Sequence, residues 1–357
     1  MRFVRALLPV ALISLLAACG GKAALPPVAD TVPLILAPIS STTTADARGR
    51  FREIYCAVRE DHGRQLPDDR PCDAALWRLA EEPAPSGRPV DLGSPRLNLQ
   101  VLVVPGLFND CLDPMVSVFS DALAHLETIG FKTGRIPVEG RSGCARNASL
   151  IRDYLLSAAL EPGEKALLVG YSKGTPDIIE ALVAYPEIRP RVAAVVSVAG
   201  AVGGSPLADE LADFYQSILM HAPAPHCPAG DGGGMESLRP RIRHLWLSKN
   251  PLPAGIRFYS LANFAGREEI SSVLRPKYDR LARIDTRNDG SVIFYDMIIP
   301  GSTLLGYARA DHLAVAIPVN RDWPTLSAGF MDRNAFPREV LLEALIRFVE
   351  EDLLSAR

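Results

Sequence analysis

The sequence predicts an α/β protein in which a mostly parallel sheet is flanked by helices, preceded by a small helical subdomain and interrupted late by a lid or cap insertion. Three observations predict it. From residue 97 onward short apolar runs alternate with segments of helical period, the pattern of strands joined by right-handed crossovers. The strand runs are apolar on both faces, as in a sheet covered on both sides. The chain has 357 residues, 48% of them hydrophobic and 22% charged, which is ordinary globular composition and room for about two domains or one large α/β domain.

Residues 1–18 read as an export signal. Arg2 and Arg5 supply the positive end, and the 13 uncharged residues from Ala6 to Ala18 include Pro9, too short a run for the ~20 apolar residues of a membrane-spanning helix. Leu16-Ala17-Ala18-Cys19 resembles the lipobox of bacterial lipoproteins. The resemblance implies cleavage before Cys19 and acylation of that cysteine, so that a membrane becomes a partner through it. Gly20 in the next position, where an Asp would retain the protein at the inner membrane of enteric-type bacteria, points to the outer membrane, facing periplasm or surface. Residues 19–45, with Pro26, Pro27, Pro33 and Pro38, read as the lipidated tether.

The elements follow in order. Residues 46–90 form the helical subdomain, with Phe51, Ile54, Tyr55 and Val58 on one helical face and a second helical stretch from Cys72 to Leu79. Residues 91–357 form the α/β domain. Its strands are Leu97–Val104, Lys132–Val138, Ala166–Gly170, Val192–Val198, Ile256–Leu261 and Thr303–Arg309; its helices are Pro114–Ile129, Ala145–Leu160, Thr175–Ala184, Ser272–Ala282 and Pro337–Leu354. Residues 203–250 break the alternation with Pro-rich and Gly-rich loops and form the insertion. There Leu207, Leu211, Phe214, Ile218, Leu219 and Trp246 offer apolar surface for a lid or acyl pocket, and Arg239, Arg241 and Arg243 read either as phosphate contacts or as a solvated charge run. With Cys19 lipidated, five thiols remain, and adjacency favours Cys56–Cys72 and Cys111–Cys144 with Cys227 left over.

Gly170-Tyr171-Ser172-Lys173-Gly174 matches G-x-S-x-G between a strand and a helix, a sharp turn that exposes a serine hydroxyl. A side chain at either glycine would collide across so tight a turn. A hydroxyl needs a base to take its proton and a carboxylate to orient that base, with the acid and then the histidine farther along the chain. His62 and His125 precede the serine, and His221 and His226 sit in Pro-rich sequence, which leaves His244 and His312. His312 follows the last strand, at a carboxyl end where open α/β sheets build their sites. Asp289, in Asn288-Asp289-Gly290, leads as the acid over Asp285, and Asp311 is badly placed beside the histidine it would serve. Oxyanion donors are expected at the N–H groups of Lys173, after the serine, and Leu107, in the Pro105-Gly106-Leu107-Phe108 turn.

In that order these segments resemble an α/β-hydrolase of the bacterial lipase and esterase kind, over about residues 97–355. The resemblance implies a serine ester hydrolase with an acyl-ester substrate. Lipases carry His-Gly at Pro105-Gly106 and Gln, Met or His at Lys173, so this chain departs there and sets a cation beside the nucleophile. The same residues also suit an acyltransferase or thioesterase, and a scaffold alone does not exclude a non-catalytic envelope lipoprotein. The chemistry calls for no metal or organic cofactor, and the sequence has neither CxxC nor HxxxH. A net charge of -3 without a long basic block excludes nucleic acid as a partner.

Overall fold

The structure, a computed structural model, describes residues 45–79, 81–112, 117–157, 160–214, 230–322, 324–325, 329 and 331–355. The export signal, Cys19 and the tether up to residue 44 lie outside the described residues, as do Ile218, Leu219, His221, His226 and Cys227 of the insertion.

Seven strands, all parallel, form one sheet in the order β1-β7-β6-β5-β4-β2-β3. They are β1 (Ala45–Asp46), β2 (Leu99–Val104), β3 (Lys132–Arg135), β4 (Lys165–Tyr171), β5 (Val192–Val198), β6 (Arg257–Asn263) and β7 (Thr303–Ala308). Alternate residues of the central strands enter opposite cores. Val101, Val103, Leu167, Val169, Ala194 and Val196 face one cluster, while Leu102, Val104, Ala166, Leu168 and Val195 face the other. That is the period of a pleated strand with both faces covered, and it explains why these runs read as continuously apolar.

The longer helices are α1 (Arg48–Asp61), α2 (Ser120–Thr128), α3 (Cys144–Ser157), α4 (Gly174–Ala184), α5 (Pro206–Phe214), α6 (Pro240–Lys249), α7 (Arg275–Leu281) and α8 (Arg338–Ser355). α1 lays Phe51, Ile54, Tyr55 and Val58 into the same core as Leu341, Leu345 and Phe348 of α8, with the Phe51 and Phe348 rings edge to face at 6.4 Å. Arg50 adds charge-assisted bonds to Glu351 and Arg52 to Glu82.

Several boundaries shift for identifiable reasons. α7 begins at Arg275 rather than Ser272, because Pro276 occupies its first turn, where a missing N–H costs nothing. α2 begins at Ser120 behind Phe119, whose left-handed φ of 54° ends any helical approach from residue 117. β1, only two residues long, pairs Ala45 with Thr303 and Asp46 with Leu304; no apolar run announces it.

Of the expected disulfides, Cys56–Cys72 is present. The expected Cys111–Cys144 bridge is not formed, because Cys144 is a free, fully buried thiol at the start of α3, turned inward onto Asp177. The side chain of Cys111 lies outside the described residues.

Candidate active site

β4 ends at Tyr171, and the chain turns through Ser172, at φ 53°, into α4. Three bonds fix the turn: Ser172 N–H donates to Val198 O at 3.3 Å, while Thr175 N–H and Ala201 N–H donate to Ser172 O at 3.2 and 3.0 Å. Gly174 is obligatory, since a Cβ there would stand 2.0 Å from Val104 O. Gly106 brings the Pro105–Phe108 turn against the serine: a Cβ at Gly106 would lie 2.7 Å from Ser172 Cβ.

His312 follows β7 and reaches across to this turn. Its Nε2 is 2.9 Å from Ser172 Oγ and its Nδ1 is 2.6 Å from Asp289 Oδ2. The backbone that carries the ring is fixed as well: Tyr171 OH donates to His312 O at 2.6 Å and His312 N–H donates to Asp289 O at 2.9 Å. Asp289 is fully buried, and its other oxygen, Oδ1, accepts N–H bonds from Ser291 and Val292 at 2.8 and 2.7 Å. The Asp-Gly turn and the contact with His312 are therefore one arrangement: the turn's own N–H groups hold Oδ1 and leave Oδ2 facing the imidazole. Ser172 and His312 are only 8% and 7% exposed, so the pair sits in a narrow opening.

The competing residues are engaged elsewhere. Asp285 pairs with Arg287, whose guanidinium beside it outweighs burial and holds its carboxyl below the usual range. Asp311 accepts N–H bonds from Ser271, Leu313 and Ala314 and so shapes the loop that carries His312. His244 faces Asp296 at 3.5 Å on α6.

Lys173 does not set a cation beside the nucleophile, as its place in the sequence suggests. Its ammonium turns back into the first turn of α4, 2.7 and 2.9 Å from the two oxygens of Asp177, both side chains being 1% exposed. Asn147 Nδ2 donates to the same carboxylate at 2.8 Å. Burial works to neutralise Lys173, but the Asp177 charge outweighs it and holds the ammonium above the usual lysine range. The i, i+4 spacing of Lys173 and Asp177 is visible in the sequence, though its burial is not. Among the described residues neither Leu107 N–H nor Lys173 N–H donates to a protein acceptor.

Part of the described insertion borders this region. Gly233 and Gly234 pack on the 140–143 loop, Gly234 N–H donating to Arg141 O at 3.0 Å, and a Cβ at Gly234 would lie 3.0 Å from Leu107 Cδ2. Leu107, Trp77 and Phe294 are partly buried side chains packed against an apolar cluster that includes Phe264 and Tyr307. Of the side chains expected on a lid surface, Leu207 is instead buried with Leu281 and Ile293. Arg243 is fully buried against Glu180 and Val202 O, beyond reach of any phosphate, and Arg239 pairs with Glu236. The side chains of Leu211 and Phe214 lie outside the described residues.

A parallel sheet with a serine on a strand-to-helix turn and a histidine after the last strand defines the class of α/β serine hydrolases. A carboxyl esterase of metagenomic origin is 46% identical to this chain, covering 91% of this chain and 99% of its own with a TM-score of 0.86. The mature form of the Bacillus licheniformis lipase BlEst2 shares the fold at 20% identity and a TM-score of 0.51, over 63% of this chain and 89% of its own. No protein-family model matches the chain, and no curated protein does. The chain belongs to the α/β-hydrolase superfamily, among its esterase- and lipase-like serine hydrolases.

Proposed function

We propose that this chain is a lipid-anchored envelope enzyme that cleaves carboxylic esters of lipids or other acyl compounds through an acyl-enzyme. The observation that carries the reading is the continuous chain of hydrogen bonds from Ser172 through His312 to Asp289, in a chain 46% identical in sequence to a carboxyl esterase. A carboxylate accepts and cannot donate, so Nδ1 of His312 holds the ring proton and Nε2 offers its lone pair to the serine.

In this reading Ser172 Oγ attacks the acyl carbonyl as its proton passes to His312 Nε2, and the N–H groups of Leu107 and Lys173 hold the oxyanion. Collapse of the tetrahedral intermediate expels the alcohol, which takes the proton from the imidazolium. A water deprotonated by the same nitrogen then attacks the acyl-enzyme, releasing the acid and restoring the serine. Leu107, partly exposed at the edge of the apolar cluster, would contact the acyl chain beside the described part of the insertion. Anchoring rests on Cys19 and the signal-like residues before it, and places the enzyme at the outer membrane of a bacterial envelope, facing periplasm or surface.

A fluorophosphonate probe applied to the full-length protein in detergent, followed by peptide mapping, tests the assignment. Label on Ser172 that disappears in His312→Ala supports it, and a panel of nitrophenyl esters of increasing acyl length then defines the acyl chain. A folded protein that takes no label overturns it.

A further inference from the structure

Away from the serine, three helical elements turn one side chain each toward a common point. His62 caps the end of α1, His125 lies in α2 and Glu343 in α8. The Nε2 atoms of both histidines stand 2.7 Å from the same carboxylate oxygen, Glu343 Oε2, and the three atoms lie within 4.8 Å of one another. The residues behind them are also in place. Asp61 Oδ2 is 2.8 Å from His62 Nδ1, and Arg347 Nε donates to the other Glu343 oxygen at 3.2 Å.

We propose that His62, His125 and Glu343 bind one zinc-like divalent transition ion that ties α1, α2 and α8 together. Two imidazoles and one carboxylate are a donor set for zinc, whereas calcium and magnesium prefer oxygen alone. With metal–ligand distances of ~2.0–2.1 Å, tetrahedral ligand atoms stand ~3.3 Å apart, so each Nε2 need retreat from Oε2 by only about half an ångström. The ion takes the position of the protons that now bridge the imidazoles to Oε2. Asp61 on Nδ1 fixes the His62 ring with Nε2 inward, and Arg347 holds Oε1 so that Oε2 faces the same point, the outer support that a metal centre requires. Glu343 is fully buried and His125 9% exposed, while His62 at 26% leaves one side accessible for the ion and for a water as fourth ligand. The three residues lie 63 and 218 positions apart along the chain, and such spacing matches no sequence motif for a metal site.

Full-length protein stripped with a chelator and dialysed is titrated with Zn2+ by calorimetry, and separately with Co2+, whose visible spectrum reports coordination geometry. The expected result is one equivalent of zinc, tetrahedral Co2+ bands, and a Tm about 5 °C higher at a hundredfold excess over Kd. His62→Gln and His125→Gln should each abolish both signals, while His312→Gln should keep them. Absence of saturable binding in the wild-type protein overturns the proposal. So does binding that survives both His62→Gln and His125→Gln, or that is lost in His312→Gln.

Discussion

Lys173 follows the proposed nucleophile yet gives its charge to the interior, and that makes Asp177 a partner in the geometry of the turn. The pair is dry, with Asn147 closing the carboxylate from the other side. Asp177→Asn would leave a buried ammonium without its counter-charge, at a cost of about 3–5 kcal/mol, readable as a lower urea midpoint. Asp289→Asn removes the acceptor that sets the tautomer of His312 and should lower kcat by about 10⁴-fold with the fold intact, whereas Asp285→Asn should leave turnover near wild type. Comparable turnover in the two variants would contradict the assignment of the acid. Cys144 makes a separate case: burial pushes its thiol up to about 12, so iodoacetamide at mild alkaline pH should label it only after unfolding. Ser172, Asp289 and His312 were legible because each stands at a junction between a periodic segment and a turn. The direction of the Lys173 side chain was not, because a sequence gives the spacing of two charges and not which side of a helix becomes dry.

At the scale of elements, α1 shows how much of the fold local pattern reveals. Its apolar face is plain in the sequence, but its partner is α8, at the other end of the chain. Phe51→Ala should cost about 3–5 kcal/mol, measured by denaturant unfolding, since the ring is fully buried between strand and helix. Glu53 and Arg50, on the same helix, both bind the 86–88 loop. Burial raises the Glu53 pKa, but the Ser86 hydroxyl, the Gly87 N–H and Arg50 outweigh it and hold the carboxyl at about 2. A depressed carboxylate stabilises the fold above its unfolded value of 4.5 and loses that contribution as pH falls toward about 2. Glu53→Gln should therefore lower the urea midpoint at neutral pH, and the difference from wild type should shrink as the solution is acidified through that window. The Cys56–Cys72 link closes the end of α1 onto the next helical turn across 16 residues, and replacing both cysteines with alanine should cost about 3 kcal/mol by the loop-entropy argument. The strands were readable because their residues are apolar on both faces. β1 was not, because two residues carry no period.

For the molecule as a whole, the parallel sheet places Ser172 and His312 beyond the carboxyl ends of β4 and β7, on one rim. Cys19→Ser in the full-length chain should shift the protein from the membrane fraction to the soluble fraction while leaving its activity toward a soluble ester unchanged. β1 runs parallel to β7 and pairs with its first two residues, so the chain enters the sheet at Ala45, on the opposite rim. If Cys19 is the mooring, the 26 residues from it to Ala45 give a line of at most ~90 Å, long enough for the mouth to face either the medium or the lipid that retains it. So moored, such a molecule can meet esters arriving from the surrounding medium and those of its own bilayer alike.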